Sequence, residues 1–131
     1  MCEEKKQESF WEGAEVIYSY TRAQAIEDGV LVDLTGLYPG DTRLYKYPVA
    51  CTSAVWGLIE RACQKTGDNP GVYVWDLCFM SINCKVREID HSTVLFKVGI
   101  PIGGKEHTLK IACGPGDDGK PVMTVMLPHE D

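Results

Sequence analysis

The sequence predicts one α+β domain, in which three helices pack on a small antiparallel sheet that closes in a C-terminal β-hairpin or meander. The strongest signal is a pair of apolar runs, residues 109–113 and 122–127, separated by a connector of Gly, Pro, Asp and Lys in which the chain reverses. Because both arms are almost continuously apolar, we expect this hairpin to be central or well covered. Two long segments with helical spacing of apolar residues precede it, and no repeat or linker divides residues 1–131.

The first helix is predicted at residues 21–28. Thr21 and Gln24 have the spacing of a capping box, and Gly29 suits the left-handed position after the last turn. The polar, mixed-charge residues 1–9 are expected to be a frayed terminus.

A short strand is predicted at residues 30–34, where apolar side chains alternate. Residues 35–47 contain Gly, Pro and Asp and are expected to form a loop. Thr52 is then the predicted N-cap of a second helix at residues 53–65, which the Gly- and Pro-containing residues 67–71 end.

The third helix is predicted at residues 72–86, in a run of fifteen residues without Pro or Gly. One face of this helix holds Val72, Trp75, Phe79, Ile82 and Val86, and it is widened by Leu77, Cys78 and Met80. A strand over 72–75 is the alternative, since VYVW is rich in β-formers, but the whole run is long for a strand.

The back of the chain is predicted to be a three-stranded antiparallel meander. A turn at residues 87–92 leads into a strand at 93–100, and the Gly-rich residues 101–105 reverse the chain into a strand at 106–113. The closing strand ends at Pro128.

Composition places the chain among soluble globular proteins. It has 131 residues, 44% hydrophobic and 24% charged, which is enough to bury one core. No apolar run approaches the roughly 20 residues that cross a bilayer, and the charged N-terminus lacks the apolar region of a secretory signal. We therefore expect a cytoplasmic protein without a membrane contact.

The six cysteines are expected to be buried free thiols, because several have apolar neighbours, a cytosol keeps thiols reduced and no export signal precedes them. No Cys-x-x-Cys pair gives the local spacing of structural zinc. A metal site and a reactive thiol are the less favoured alternatives, and no metal, cofactor or catalytic residue is predicted.

The net charge of −6 is concentrated in the front of the chain. Residues 1–42 hold nine acidic and three basic groups, whereas residues 43–131 hold ten of each. This distribution argues against direct nucleic-acid binding, which normally needs a basic stripe. The acidic front is either a solvated surface, the favoured interpretation, or a surface for a basic partner.

Six residues are candidates for a binding face. Tyrosines in loops are favoured at contact surfaces, because they supply area at low entropic cost. The candidates combine such tyrosines with charged neighbours, and they are Tyr18, Tyr20, Arg22, Asp33, Tyr45 and Tyr47. Ordinary packing of the tyrosine rings is the alternative and is favoured.

Two long phrases, IYSYTRAQAIEDGVLVDL at residues 17–34 and LKIACGPGDDGKPVMTVMLP at residues 109–128, resemble the opening and closing signatures of a bacterial domain family of unknown function. The segments YPVACTSAVWGLIERA and VWDLCFMSI are similar to the two helices of that family. Its members are small single-domain proteins met on chromosomes, plasmids and prophage-like elements. The resemblance implies a mobile-element setting and supplies no reaction and no site residues.

The leading hypothesis is therefore a non-enzymatic accessory protein of a mobile genetic element that acts through contacts with a protein partner. A sharper form is an inhibitor of a host defence complex of the CRISPR type, whose basic groove an acidic face would occupy. The alternative is a small-ligand or nucleotide-processing enzyme with a site between the first helix and the sheet. That alternative requires a cleft joining Arg22, Asp33 and either Asp117 or Asp118. A homodimer formed through the hairpin edge is a third hypothesis.

Overall fold

A computed structural model describes residues 20–104 and 106–130, and in that part of the chain it shows a mixed α/β fold of four helices and six strands. In chain order the elements are α1 (Arg22–Glu27), β1 (Leu31–Asp33), α2 (Leu34–Leu37), β2 (Val49–Thr52), α3 (Ser53–Thr66), α4 (Pro70–Asn83), β3 (Lys85–Asp90), β4 (Thr93–Gly99), β5 (Glu106–Pro115) and β6 (Pro121–Met126).

The strands form one open sheet in the order β1-β2-β6-β5-β4-β3. Every neighbouring pair is antiparallel except β2 and β6, which run parallel. The predicted meander of β4, β5 and β6 is confirmed, and both arms of the C-terminal hairpin are interior strands, as their continuous apolar character indicates. Among the described residues, each arm of the hairpin therefore has a neighbouring strand on both sides.

Local capping signals place the starts of α1 and α3 correctly, whereas α4 begins at Pro70, two residues before the predicted start, with Asn69 as its N-cap. Thr21 Oγ1 accepts from Gln24 N at 3.0 Å, and Gln24 Oε1 accepts from Thr21 N at 3.0 Å, so the predicted capping box is present at α1. Gly29 follows with φ of 80°, in the left-handed region. Thr52 is the N-cap of α3, whose span matches the predicted second helix to within one residue.

Two strands, β2 and β3, were not predicted from the sequence. β3 occupies residues that were predicted as the end of the third helix and as a turn. The predicted third helix is wrong at its C-terminal end, because α4 stops at Asn83 and Val86 belongs to β3. The predicted turn at 87–92 is wrong over residues 87–90, which belong to β3, and the turn itself occupies residues 91–92. β3 has no buried apolar face, since all six of its residues are exposed. Its strand conformation therefore depends on its hydrogen-bonded pairing with β4.

The residues of β2 lie between the predicted loop and the predicted second helix and were not predicted to form a strand. β2 is four residues long and buried at three of them, so it shows no alternation of apolar and polar side chains. A short helix, α2, also lies at the start of the predicted loop, where the Asp33 carboxylate caps it by accepting from Gly36 N at 3.0 Å.

The core lies between α3, α4 and one face of the sheet. Phe96 stands opposite Leu109, Ile111 stands opposite Val125, and all four belong to the buried apolar cluster with Leu77 of α4. Side chains of successive strand residues point to opposite faces. Thr124 therefore faces away from α3 and α4, onto the second face of the sheet.

The helix α4 carries large apolar side chains on two opposite sides, and its polar residues Asp76 and Asn83 are half-buried and exposed, respectively. The structure buries the side that holds Leu77 and Cys78, which the sequence pattern only added as a widening of the predicted apolar face. Leu77 and Cys78 are 0% and 1% exposed, whereas Val72 and Phe79 are 51% and 38% exposed. The outward side thus carries a row of large apolar side chains, for which we use the name apolar stripe: Val72, Trp75, Phe79 and Ile82. In the part of the chain that the structure describes, none of the helices has both the length and the hydropathy to cross a membrane.

Candidate functional site

A cavity of about 680 Å³ lies between α1 and the second face of the sheet. Its walls are α1, the ends of β1 and β2, and the hairpin formed by β5 and β6. The cavity is larger than two others, of about 260 and 300 Å³, that lie elsewhere on the surface. Its volume falls within the roughly 300–1,000 Å³ typical of small-molecule pockets. We call it the α1 cavity.

The helix α1 is fixed to the hairpin by two sets of hydrogen bonds. The two oxygens of Asp117, in the hairpin turn, accept from Arg22 N at 2.8 Å and Ala23 N at 3.0 Å. The Arg22 guanidinium donates through Nη1 to Thr124 Oγ1 and through Nη2 to the Met123 carbonyl, both at 2.8 Å. The bonds to Asp117 satisfy main-chain N–H groups in the first turn of α1. Arg22 and Asp117 together line one wall of the cavity.

Arg22 places a fixed positive charge on this wall. Its side chain is half-buried, and burial lowers its pKa, an effect that the charges of Asp33 and Asp117 oppose. Because a guanidinium ordinarily titrates above pH 12, Arg22 remains cationic at neutral pH. The two bonds to β6 use two of its five N–H donors.

Carboxylates surround this cation. Hydrogen bonds from α1 hold the pKa of Asp117 below its ordinary value, so that Asp117 is ionised at neutral pH. Glu130 lines the opposite side, where one of its carboxylate oxygens accepts from Thr52 Oγ1 and from Leu127 N, both at 2.8 Å. At the rim, the Tyr20 hydroxyl donates to Asp28 at 2.7 Å.

The structure brings together only some of the candidate residues from the sequence. Tyr20 and Arg22 line the α1 cavity, and Tyr18 lies outside the described residues. Asp33 caps α2 and lines the separate 300 Å³ pocket, although it is close enough to act on the pKa of Arg22. Of the carboxylates that the enzyme alternative requires, Asp117 therefore lines the cavity and Asp33 does not.

The remaining tyrosines lie elsewhere. The Tyr45 hydroxyl is 2.6 Å from Ser81 Oγ, and Tyr45 lines the 260 Å³ pocket beside Ile111, on the core face of the sheet. Burial raises the pKa of Tyr45. The Tyr47 ring lies under Lys46, whose Nζ is 5.4 Å from its centroid. The six candidates therefore do not form one face.

Sequence reasoning missed four polar or small residues of the cavity: Thr52, Ala112, Thr124 and Glu130. Side chains alternate between the two faces along each strand of the hairpin, and the antiparallel register places Ala112 opposite Thr124. This pattern is a signal that could have identified both residues. Thr52 could not be placed without β2, and Glu130 follows the last strand.

The cysteines in the core are poor nucleophiles at neutral pH. Burial raises the pKa of Cys51 to about 12 and that of Cys78 to about 11, so both remain protonated. The five cysteines among the described residues are free thiols, but only Cys51 and Cys78 are buried, whereas Cys63, Cys84 and Cys113 are partly exposed. Within residues 20–104 and 106–130, no three His, Cys, Asp or Glu side chains are grouped so that they could hold a metal ion.

The bond between Asp117 and α1 predicts an acid-sensitive component of stability. The pKa of Asp117 is lower in the folded protein than the ordinary value of about 3.9. Its contribution is therefore complete above that value and disappears as the pH falls through the folded pKa. Asp117→Asn should lower the free energy of unfolding at pH 7, and the difference from wild type should shrink as the pH is lowered towards about 3.

Urea unfolding at pH 7 and at acidic pH measures this difference. Asp118→Asn is the matched control, because Asp118 accepts from Lys120 N at 3.0 Å within its own turn. The control should follow the wild-type acid profile. A difference between Asp117→Asn and wild type that stays constant with pH would contradict the assignment.

A comparison with protein-family models gives a match to a family of unknown function, DUF6573, over residues 7–131. Neither the curated proteins nor the solved structures compared with the chain give a match. The match covers almost the whole sequence, including α1 and the hairpin that together wall the α1 cavity. The chain therefore belongs to the DUF6573 family, whose function is unknown.

Proposed function

We propose that the protein is a non-catalytic accessory protein that binds another protein, and that the α1 cavity receives a basic side chain of that partner. The observation that carries this proposal is a 680 Å³ cavity whose polar wall groups are already fixed by hydrogen bonds within the chain. A site whose groups are held in place before binding loses less entropy when the ligand arrives.

The charges of the cavity favour a cationic partner. Two acidic side chains, Asp117 and Glu130, line the cavity together with one basic side chain, Arg22. Lys110 lies nearby, where it donates to the Glu130 main-chain carbonyl. The acidic side chains that line the cavity outnumber the basic one, and the chain as a whole has a net charge of −6. Such a surface attracts basic partners and speeds their association.

The same groups are poorly suited to acid–base catalysis. A general base works best when its pKa lies near the operating pH. Hydrogen bonds lower the pKa of Asp117 and move it away from neutrality. Arg22 and Asp117 instead join α1 to the hairpin, which supports a role in shaping the cavity.

The resemblance of residues 17–34 and 109–128 to a family met on chromosomes, plasmids and prophage-like elements suggests the biological setting of the proposal. In that setting the protein acts in the cytoplasm as an accessory factor of a mobile element. An acidic protein that covers the basic groove of a nucleic-acid-handling complex would inhibit it, so a host defence complex is the sharper form of the proposed partner.

Filling the cavity should abolish partner binding. Ala112 lies on the cavity floor, and Ala112→Phe should reduce capture of a stoichiometric partner from host lysate by at least about tenfold, because the new ring occupies the site. Thr108→Phe is the matched control, since Thr108 lies four residues earlier on the same strand and face but outside the cavity. Affinity capture with quantitative mass spectrometry measures the change.

The salt dependence of capture tests the charge argument. Binding of a basic partner to the acidic groups of the α1 cavity should weaken when the salt concentration rises from about 0.05 M to about 0.5 M, because the electrostatic screening length shortens severalfold. Equal capture by wild type and Ala112→Phe would show that the partner binds elsewhere. Capture that is insensitive to salt would contradict a basic partner.

A second candidate, binding of a small anionic ligand, is favoured by one specific observation. The Arg22 guanidinium lies on the wall of a cavity of suitable volume, and guanidinium groups bind carboxylates and phosphates through paired N–H donors. In this case nucleotides or carboxylates should raise the Tm of wild type but not that of Ala112→Phe. Ala112→Phe should lose binding in either case, so the two candidates are distinguished by the probe: a basic protein is captured by wild type under the first, and a nucleotide or carboxylate raises the Tm of wild type under the second.

A further inference from the structure

The apolar stripe of α4 is uncovered by the part of the chain that the structure describes. Val72, Phe79 and Ile82 are 51%, 38% and 42% exposed, and Trp75 stacks on Phe79 with ring centroids 4.7 Å apart and an interplanar angle of 14°. A surface helix of a globular protein normally turns its large apolar side chains towards the core and polar side chains towards solvent. Contiguous exposed apolar residues that include aromatic rings are typical of protein interfaces.

We propose that the apolar stripe is the interface of a two-fold symmetric dimer, in which α4 packs antiparallel against α4 of a second copy. The stripe residues are separated by three, four and three positions, which is the a/d spacing of a helix that packs along one seam. In an antiparallel pair centred at Leu77, Val72 lies level with Ile82 of the second copy, and Trp75 lies level with Phe79 of the second copy. The stripe is therefore complementary to itself.

Charges at the two ends of α4 favour the antiparallel arrangement. Asp68 lies just before the helix and Lys85 just after it, and both residues are exposed. Antiparallel packing brings the acidic end of one helix level with the basic end of the other, whereas a parallel pair would place like charges together. Antiparallel helix dipoles also attract each other.

The size of the stripe sets the expected strength of the dimer. α4 has 14 residues and is therefore about 21 Å long. An interface of this size falls near or below the roughly 1,200 Å² that marks the lower limit of stable complexes, so we expect a dimer that dissociates on dilution into the micromolar range.

Sedimentation equilibrium of the purified protein from about 1 to about 500 μM tests the proposal. Wild type should move from the 14.5 kDa monomer towards twice that mass as its concentration rises. Phe79→Asp should raise the dissociation constant at least about thirtyfold, because it places a carboxylate in the centre of the seam. Gln64→Asp adds the same charge to an exposed position of α3 and should leave the dimer unchanged.

A charge-pair variant tests the direction of packing. Trp75→Lys and Phe79→Asp should each weaken the dimer, but in the double variant each new Lys lies level with a new Asp of the second copy. The double variant should therefore associate more tightly than either single variant. A wild-type protein that remains a monomer at about 500 μM would overturn the proposal. A dimer unaffected by Phe79→Asp, or a double variant weaker than both single ones, would overturn it equally.

Discussion

Leu77→Asp should abolish folding at neutral pH, whereas the same substitution at Phe79, two positions further along α4, should leave the fold intact. Leu77 is fully buried in the core between α4 and the sheet. Removing its side chain costs about 2–5 kcal/mol, and burying an unpaired carboxylate costs several more. The sum reaches the 5–15 kcal/mol that stabilises a typical domain. Phe79 is 38% exposed, so an Asp there remains hydrated.

Far-UV circular dichroism at 25 °C and thermal unfolding distinguish the two variants. Phe79→Asp should retain the wild-type spectrum and a cooperative transition, even where it prevents association. Leu77→Met is the volume-conserving control and should cost less than about 1.5 kcal/mol. If Phe79→Asp unfolds and Leu77→Asp folds, α4 is rotated by about half a turn from the structure described above.

The two faces of α4 could not be distinguished from sequence, and the reason is physical. Helical periodicity identifies a buried face only when the opposite face is polar. In α4 the buried Val74 and Leu77 and the exposed Val72 and Phe79 are equally apolar, so the pattern fits either side. The ends of α1 and α3, by contrast, follow from capping groups that act within one helical turn and are therefore visible locally.

The sheet shows the same division between local and distant causes. The meander of β4, β5 and β6 is predictable, because its strands are adjacent in sequence and joined by turn residues. The parallel pair of β2 and β6 joins segments about seventy residues apart in the sequence, so no local sequence pattern predicts their pairing. β3 is fully exposed and owes its conformation to β4.

The α1 cavity was predictable in position but not in detail. A site between the first helix and the sheet, with Arg22 and Asp117 on it, is the arrangement that the enzyme alternative requires. Yet the hydrogen bond from Arg22 N to Asp117 joins residues 95 positions apart, and it results from the fold of the whole sheet. Tyr45 was expected nearby, but its loop packs on the opposite face, where its hydroxyl meets Ser81.

Phe96→Ala should lower the free energy of unfolding by about 3–5 kcal/mol, because Phe96 is the largest fully buried side chain and its removal leaves a cavity under α4. At about 3–5 °C per kcal/mol for a domain of this size, the Tm should fall by roughly 10–20 °C. Urea unfolding followed by circular dichroism measures the change, and the m-value should stay the same.

Leu95→Ala is the matched control for this loss. Leu95 is the preceding residue on β4, is only half-buried and points to the second face of the sheet, so its removal should cost about 1 kcal/mol. An equal loss for both variants would contradict the position of the core. Because Ala112 and Thr124 lie on the face opposite Phe96, Phe96→Ala should still bind a partner of the α1 cavity at temperatures well below its Tm. Stability and binding can thus be separated on the two faces of one sheet.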